Sequence, residues 1–222
     1  MEETIRCENI TKKYLNLSAR VQITALSDFQ MIVKSSELTA LVGRNGSGKS
    51  TILRILGTLI KPTSGKASIF SQAHGKYLDI RKNAKQVRHE IGFLPENPFF
   101  YPSVSSSVIL RYIGHLRGQK DVRKRASDLL SRFRLSKWAD IPTGIFSHGM
   151  RQRLGLATTL IHEPSVLLLD EPFQGLDTQS TVEVIDILRE EHSKCGRTIL
   201  YSTHDPRLVK EADNCVTLEE RK

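Results

Sequence analysis

One turn constrains the fold of this sequence more than any other feature. It lies in LVGRNGSGKSTILRIL (residues 41–56), where an apolar segment leads into a glycine-rich turn and apolar residues at helical spacing follow. Within it, GRNGSGKS (residues 43–50) matches the pattern G-x-x-x-x-G-K-[ST] in full, between a predicted strand and a predicted helix as that pattern requires. The chain is therefore expected to be an α/β protein that holds phosphate groups at this turn.

The residue types of the turn suit the triphosphate of a nucleotide. Glycines let the backbone curl close to phosphate oxygens without Cβ clashes, and the following helix adds free N–H groups and its positive dipole end. Lys49 adds a full charge near the β- and γ-phosphates, and the Ser50 hydroxyl can complete a magnesium shell. The residues predicted to bind the nucleotide are Gly43, Arg44, Asn45, Gly46, Ser47, Gly48, Lys49, Ser50 and Thr51.

Two acids follow a second apolar stretch, VLLLDEP (residues 166–172). An uninterrupted apolar run indicates a central strand that is buried on both faces, and open α/β sheets bind ligands at the carboxyl ends of their strands. Asp170 is predicted to bind magnesium, directly or through water. Glu171 is predicted to orient a water molecule against the γ-phosphate and to accept its proton as a general base.

Strand and helix patterns alternate along the chain. A helix is predicted from Lys49 to Ile60, where Lys61 and Pro62 end it. Strands are predicted within residues 4–14, 23–33, 37–43, 62–70, 90–96, 165–170 and 197–204, a helix over about 178–195, and mostly helical sequence over about 98–159. This alternation predicts a parallel sheet covered on both faces, with the helical stretch inserted into its connectivity.

Size and composition fit one domain over residues 1–222, with a core lobe of about 1–96 and 160–222 and a helical lobe of about 97–159. No apolar run approaches the roughly 20 residues that cross a bilayer, and the start MEETIRCENI lacks the layout of a signal peptide, so a cytoplasmic protein is expected. The widely spaced Cys7, Cys195 and Cys215 are expected to be reduced structural thiols.

The formal net charge of +9 admits nucleic acid, an anionic membrane surface or phosphorylated ligands as partners. Much of the charge lies in KDVRKRASDLLSRFRLSK (residues 120–137), where basic residues punctuate an amphipathic helical pattern. A solvated helix face explains this stretch most simply. Nucleic acid is therefore not expected to be a partner.

Further stretches extend the pattern beyond nucleotide binding. FSHGMRQRLGLA (residues 146–157) is similar to a signature motif whose usual form is L-S-G-G-Q, and GLD (residues 175–177) is similar to a D-loop. IGFLPE (residues 91–96) is similar to the approach to a Q-loop, His204 to a switch histidine, and Tyr14 to an aromatic residue that stacks on adenine. In this order, from about Tyr14 to His204, the chain resembles the nucleotide-binding domain of the ATP-binding-cassette family. The resemblance implies a P-loop NTPase (RecA-like) parallel-sheet core with an antiparallel β edge and an inserted helical subdomain.

The resemblance also implies roles for individual residues. The nucleotide is ATP with Mg²⁺, and the residues implied to bind ATP outside the phosphate turn are Tyr14, Ser147, Gly149 and Asp177. The implied catalytic residues are Glu171, His204 and Lys49, and the implied metal-binding residues are Ser50, Glu96 and Asp170. Ser147 is also a natural N-cap, so its helix offers a second N-terminus that favours anions. The resemblance implies that two chains, as a homodimer or with a second cassette, meet head to tail so that each signature closes over ATP on the other.

Three positions depart from the family pattern. His148 stands at the first signature glycine, Met150 at the signature glutamine, and Glu96 at the Q-loop glutamine. Because Ser147 and Gly149 are retained, anion binding is expected to survive. The His148 imidazole has two open interpretations, a pH-sensitive contact with the triphosphate or a solvent-facing variant. Glu96 can still meet magnesium or water, with Asn97 as a neighbouring amide.

The resulting functional prediction is an ATPase subunit that energises a membrane transporter. It is expected to lie on the inner face of the cell membrane and to use a separately encoded integral membrane subunit. The aromatic residues of ENPFFYPSV (residues 96–104) are predicted either to face that subunit or to belong to the helical lobe's core. The alternatives are a soluble ATP-binding-cassette ATPase acting on an assembly, a ribosome or DNA, and an ATP sensor that does not hydrolyse. No N-K-x-D stretch supports a GTPase, and the transported substance is not predicted.

Overall fold

We describe residues 3–16 and 21–218 of a computed structural model of the chain. The strands in these ranges are β1 (Glu3–Asn16), β2 (Val21–Lys34), β3 (Leu38–Val42), β4 (Ser64–Ser71), β5 (Lys76–Asp79), β6 (Ile91–Leu94), β7 (Val166–Leu169), β8 (Thr198–Thr203) and β9 (Asn214–Thr217). The α-helices are α1 (Lys49–Leu56), α2 (Ala84–Glu90), α3 (Ser106–Leu116), α4 (Val122–Arg132), α5 (His148–Leu160), α6 (Thr178–Ser193) and α7 (Pro206–Val209). Short 3₁₀ helices at Ser136–Trp138 and Thr143–Ile145 connect α4 to α5.

The strands form two sheets. Five parallel strands follow the order β6-β7-β8-β3-β9, and four antiparallel strands follow the order β2-β1-β4-β5. In the parallel sheet, Leu94 is paired with Leu169 and Val42 with Thr203, so β6, β7, β8 and β3 end at one edge. The phosphate turn, the two acids and His204 each directly follow one of these ends, which brings them together.

The parallel sheet is covered on both faces because its strands alternate their side chains. In β8, Ile199 and Tyr201 pack into the apolar cluster that contains residues of α5 and α6. Leu200 lies between them in sequence and packs into the other cluster, with α1 and the antiparallel sheet. The residues of β7 likewise divide between the two clusters, which explains why β7 is apolar without interruption, as was expected from VLLLD.

The helical stretch is inserted between β6 and β7, which are hydrogen-bonded neighbours. Its apolar residues belong to the same cluster as one face of the parallel sheet. Arg132 of α4 also pairs with Glu191 of α6 and with Glu190 at 3.0 Å. Burial opposes the ionisation of Glu191, but Arg132 and Arg197 outweigh it and lower the pKa of this carboxyl group.

Some elements differ from the sequence prediction. α1 ends at Leu56 rather than at Ile60, because Gly57 closes the helix and the next residue, Thr58, has a positive φ of 60°. The elements β5, α2, α7 and β9 were not predicted. Cys7 is buried, which raises the pKa of its thiol to about 12, whereas Cys195 and Cys215 are exposed, and all three are free thiols. Across residues 3–16 and 21–218, every helix is too short or too polar to cross a membrane.

Candidate nucleotide-binding and catalytic site

A cavity of about 320 Å³ lies at the carboxyl edge of the parallel sheet. Four separate parts of the chain form its walls: the phosphate turn with the start of α1, and the loops after β6, β7 and β8. One residue of the antiparallel sheet also reaches it. The lining residues are Ala25, Asn45, Gly46, Gly48, Lys49, Ser50, Thr51, Glu96, Glu171, Gln174 and His204.

The backbone of the phosphate turn takes a conformation that favours glycine. Gly46 and Gly48 have φ values of 85° and 105°, in the left-handed region. A Cβ atom on Gly48 would lie 2.7 Å from the carbonyl oxygen of Ala25, so a side chain does not fit there. Gly48 is also the N-cap of α1, and it has no side chain to occupy the first N–H groups of that helix. These groups are available for an anion.

Lys49 is folded back over the turn. Its buried Nζ donates hydrogen bonds to the carbonyl oxygens of Gly43 at 2.6 Å and Arg44 at 3.2 Å. Nζ also lies 3.9 Å from Oε1 of Glu171. The ammonium group is therefore held inside the cavity, between the phosphate turn and the acid that follows β7.

Asp170 is fully buried at the end of β7. Its Oδ1 accepts hydrogen bonds from the hydroxyl groups of Ser50 at 3.1 Å and Ser202 at 2.7 Å. Its Oδ2 is buried without a hydrogen-bond partner among the described residues. A buried carboxylate oxygen without a donor fits a bound cation, and hydroxyl and carboxylate oxygens are ligands that Mg²⁺ prefers. Ser50 and Asp170 thus suit magnesium, and Glu96 adds a half-buried carboxylate to the same cavity wall.

Glu171 turns its carboxylate into the cavity. Its φ of 46° is unusual for a residue with a side chain, and its N–H donates to Ser202 Oγ at 2.8 Å. Oε1 lies 3.1 Å from Nδ1 of His204, an exposed residue that directly follows β8. The carboxylate therefore has an imidazole on one side and the Lys49 ammonium on the other. Strained backbone of this kind is concentrated at functional sites.

The signature residues do not line this cavity. Ser147 caps α5, because its side chain accepts a hydrogen bond from the Met150 N–H at 3.1 Å. The predicted N-cap is thereby confirmed. The His148 ring packs against Gly175, so closely that a Cβ atom there would lie 1.9 Å from His148 Cδ2. The structure places His148 half-buried against Gly175 of its own chain, an arrangement that neither interpretation of the imidazole included.

Other predicted binding residues also lie outside the cavity lining: Asp177, Tyr14, and Gly43, Arg44 and Ser47 of the phosphate turn. Asp177 is the N-cap of α6, and its carboxylate accepts hydrogen bonds from the N–H and hydroxyl of Ser180 at 2.8 and 3.0 Å, which lower its pKa. Tyr14 lies on β1 opposite Ile23, 38% exposed, with Lys12 Nζ 5.0 Å from its ring centroid. The antiparallel sheet reaches the cavity through Ala25 instead.

Three polar residues of the site were not predicted. Ser202 holds both Asp170 and the Glu171 backbone, Gln174 lines the cavity, and Gln152 of α5 donates to the Glu171 carbonyl. Ser202 could have been found from the sequence, because it is a hydroxyl residue near the end of the strand that pairs with VLLL in the sheet. Nothing in the sequence indicates the contact made by Gln152.

Comparisons with known proteins decide the family. The sequence profile described as "ABC transporter" matches residues 26–174, more than half of the chain. The chain belongs to the ABC transporter family. The resemblance drawn from the sequence and the P-loop fold class are thereby confirmed, and family membership identifies the chain as an ATP-binding ATPase.

Relatives of this ABC chain include import and export proteins. It is 36% identical over 203 residues to the putative HMP/thiamine import ATP-binding protein YkoD of Bacillus subtilis, a match over 91% of this chain but only 36% of that relative. Energy-coupling factor transporter ATP-binding protein EcfA3 of Clostridium perfringens is 34% identical over 88% of this chain and 69% of its own. Lipoprotein-releasing system ATP-binding protein LolD 1 of Rhodopseudomonas palustris is 30% identical over 100% and 99%.

Solved structures agree with the fold of this ABC chain. The dimeric post-hydrolysis structure of the ATP-binding cassette MJ0796 bound to ADP and Pi superimposes with a TM-score of 0.87 at 26% identity, over 98% of this chain and 97% of that one. A Clostridium perfringens structure, cbiO1 of the ABC transporter complex cbiONQ, gives a TM-score of 0.77 at 31% identity, over 98% and 85%.

Proposed function

We propose that this chain binds ATP with Mg²⁺ in the cavity at the carboxyl edge of its parallel sheet and hydrolyses it there to drive a membrane transporter. One observation carries the proposal. The Glu171 carboxylate, the Lys49 ammonium and the His204 imidazole line the cavity together with the phosphate turn, and the buried Asp170 carboxylate lies behind it, bonded to the Ser50 hydroxyl. Each supplies a function that phosphoryl transfer needs: metal binding, water activation, or stabilisation of phosphate charge.

Binding begins at the phosphate turn. The free N–H groups at the start of α1 and the Lys49 ammonium hold the phosphates of ATP, which replace the carbonyl groups of Gly43 and Arg44 as partners of Nζ. Ser50, Asp170 and Glu96 are the residues that would hold Mg²⁺. When bound, that ion neutralises phosphate charge and orients the β- and γ-phosphates.

The Glu171 carboxylate then acts as the general base. It orients a water molecule against the γ-phosphate and accepts its proton. His204, hydrogen-bonded to Oε1 of Glu171, keeps the carboxylate directed into the cavity and donates toward the γ-phosphate. Because the Ser202 hydroxyl oxygen accepts a hydrogen bond from the Glu171 N–H, it fixes the backbone that carries the carboxylate.

A second copy of the chain completes the site. Ser147 and Gly149 lie at the start of α5 and do not line the cavity of their own chain, yet the capped helix start offers donors for an anion. We place this start over ATP held by the opposite chain, with Asp177 near the shared face. The dimeric cassette structures that superimpose on this chain support the arrangement. Loss of the γ-phosphate then removes the negative charge that both chains bind.

An integral membrane subunit is the second partner that we propose. Phe99 and Tyr101 are 76% and 72% exposed and pack edge to face, with ring centroids 5.8 Å apart. Along α3, Tyr112 and Leu116 are one turn apart and are also exposed, whereas Phe100 packs into the core. This apolar surface suits a protein partner. The net charge of +9 suits a position beside anionic lipid head groups on the inner face of the cell membrane.

Phosphate release by the purified chain tests the enzymatic part of the proposal. With ATP and Mg²⁺, the parent protein is expected to release phosphate, and Glu171→Gln is expected to bind ATP normally but turn over at least a hundredfold more slowly, since it lacks a base. Asp186→Asn, on α6 outside the cavity lining, is the matched control. Parental turnover by Glu171→Gln would remove the glutamate from its role.

Copurification tests the transport part. A polytopic membrane protein is expected to copurify with the tagged parent chain from its own organism's membranes, and less with a Phe99→Ser/Tyr101→Ser variant. The same variant should keep parental ATP affinity, because neither aromatic residue lines the cavity. Recovery of ribosomes, DNA or a soluble assembly in place of a membrane protein would favour a non-transport ATPase.

A further inference from the structure

The helix α5 reaches the catalytic loop through one buried side chain. Gln152 is fully buried, and its Nε2 donates a hydrogen bond to the backbone carbonyl oxygen of Glu171 at 3.1 Å. The same carbonyl accepts from the Gln174 N–H at 3.1 Å. Gln152 therefore connects α5, the helix that Ser147 caps, to Glu171, the candidate general base.

The Glu171 peptide needs such support. Its φ of 46° lies in the left-handed region, which is strained for a residue with a side chain and persists where the surroundings fix it. Ser202 holds the N–H of Glu171 from β8, and Gln152 holds its carbonyl from α5. Two anchors on opposite sides of one residue fix the direction in which its side chain leaves the backbone.

The first turns of α5 also contact the rest of the loop. The His148 ring fills the space over Gly175, and a Cβ atom on Gly149 would lie 3.1 Å from the carbonyl oxygen of Gly175. Arg153 lies near enough to Asp177 that its charge contributes to lowering the pKa of that carboxyl group. The first turns of α5 thus lie along residues 171–177, and Gln152 makes the contact at Glu171.

We propose that Gln152 is a positioning residue for Glu171: it holds the Glu171 carbonyl so that the carboxylate stays between Lys49 and His204. The proposal rests on the assignment of Glu171 as the general base. Under this proposal, the distance between α5 and Glu171 within one chain affects the rate of ATP hydrolysis. Movement of α5 by a partner chain then changes the position of the base directly.

A purely structural role explains Gln152 less well. Its Oε1 is buried with no hydrogen-bond partner among the described residues, so half of the amide is desolvated without compensation. A leucine of similar size would avoid that cost. What the glutamine alone supplies is the donor to Glu171.

The test compares Gln152→Leu with a control variant, Thr159→Val. The control also changes a buried side chain of α5, and it removes a hydroxyl group that donates only to the carbonyl oxygen of Leu156 in the same helix. Gln152→Leu is expected to lower kcat for ATP hydrolysis about tenfold, in line with the loss of one buried hydrogen bond, while the ATP dissociation constant changes less than twofold. Thr159→Val should leave both kcat and the ATP dissociation constant at their parental values. A melting curve shows that each variant folds, and Gln152→Met, similar in length but without a donor, replaces the leucine variant if that variant does not.

The double variant Gln152→Leu/Glu171→Gln separates this proposal from the function on which it rests. If Gln152 acts through the carboxylate, the leucine should slow single-turnover hydrolysis in the parent but add nothing in the Glu171→Gln background. An equal additional loss in that background, or parental kcat in Gln152→Leu, would overturn the positioning role and leave the general base in place. Parental turnover in Glu171→Gln would overturn both.

Discussion

The helices α1 and α5 both begin at a site suited to anions, but they begin differently. At α1 the N-cap is Gly48, which has no side chain, and the first N–H groups face the cavity together with Lys49. At α5 the N-cap is Ser147, whose side chain already accepts from Met150 N–H, and the helix start lies outside the cavity. One helix start is built into the site of its own chain, and the other is not.

This difference indicates a division of work between two copies of the chain. The α1 start is surrounded by a lysine, a hydroxyl and two carboxylates. The α5 start has the Ser147 cap but no lysine or carboxylate of the cavity beside it. An anion-binding helix end without its own ligand is explained if the ligand is the nucleotide on another chain. The comparison predicts that changes at α1 abolish binding, whereas changes at α5 spare binding and slow turnover.

Lys49→Ala tests the α1 half of the comparison and should have the largest effect. Removing the ammonium group deletes a charge-assisted contact to the phosphates, and ATP affinity should fall about a hundredfold. Titration of the purified chain with a fluorescent ATP analogue measures this. Lys66→Ala, an exposed lysine on β4, is the control and should bind normally. Unchanged affinity in the Lys49 variant would contradict the role of the α1 start.

Ser147→Asp tests the α5 half. Aspartate caps a helix as well as serine does, so folding should be unaffected, but its negative charge repels a γ-phosphate. Turnover is expected to fall at least tenfold, about 1.4 kcal/mol of lost transition-state stabilisation, while ATP affinity of the single chain stays unchanged. Ser105→Asp changes the N-cap of α3 in the same way and should leave turnover intact. A matching loss of ATP affinity in the Ser147 variant would place α5 in its own chain's site.

His162 follows the other end of α5 and gives a prediction about stability instead of binding or turnover. Burial and the nearby charge of Arg117 lower the pKa of His162 to about 4, and its Nε2 bonds to the carbonyl of Ile91 in β6. Below pH 6.5 the unfolded chain protonates this residue and the folded chain does not. Stability is therefore fully present above pH 6.5 and lost as the pH falls toward 4, by about 2 kcal/mol after allowing for solvent screening.

Urea denaturation at pH 7 and pH 5 measures that loss. His162→Gln keeps a donor for Ile91 O but cannot be protonated, so its stability should fall less between the two pH values than that of the parent. His115→Gln, at an exposed histidine on α3, should lose stability as the parent does. An identical pH dependence in the His162 variant would show that α5 is not anchored to β6 in this way.

The sequence predicts the core of this site well because its signals are local. The phosphate turn is specified by consecutive residues, and Asp170 and Glu171 directly follow an apolar strand, so both positions follow from patterns a few residues long. The parallel sheet then brings these strand ends together without further information. The N-cap role of Ser147 is likewise local, and the structure confirms it.

The features that sequence reasoning missed depend on distant partners. The strands β5 and β9 are short, and the pairing with β4 and β3 defines them. The end of α1 was placed at Ile60, before Lys61 and Pro62, but Gly57 and the left-handed Thr58 end the helix first. Gln152 lies 19 residues from Glu171 in sequence, and the packing of His148 on Gly175 depends on how two loops approach. None of these contacts leaves a periodic pattern.

Mixing two inactive variants tests most directly the central claim that one chain's α5 start completes the site on another chain. Lys49→Ala keeps an intact α5 start, and Ser147→Asp keeps an intact phosphate turn, so a mixed pair contains one complete site. The account predicts that an equimolar mixture hydrolyses ATP clearly faster than either variant alone at the same total concentration. A mixture that only averages the rates of its two components would contradict it.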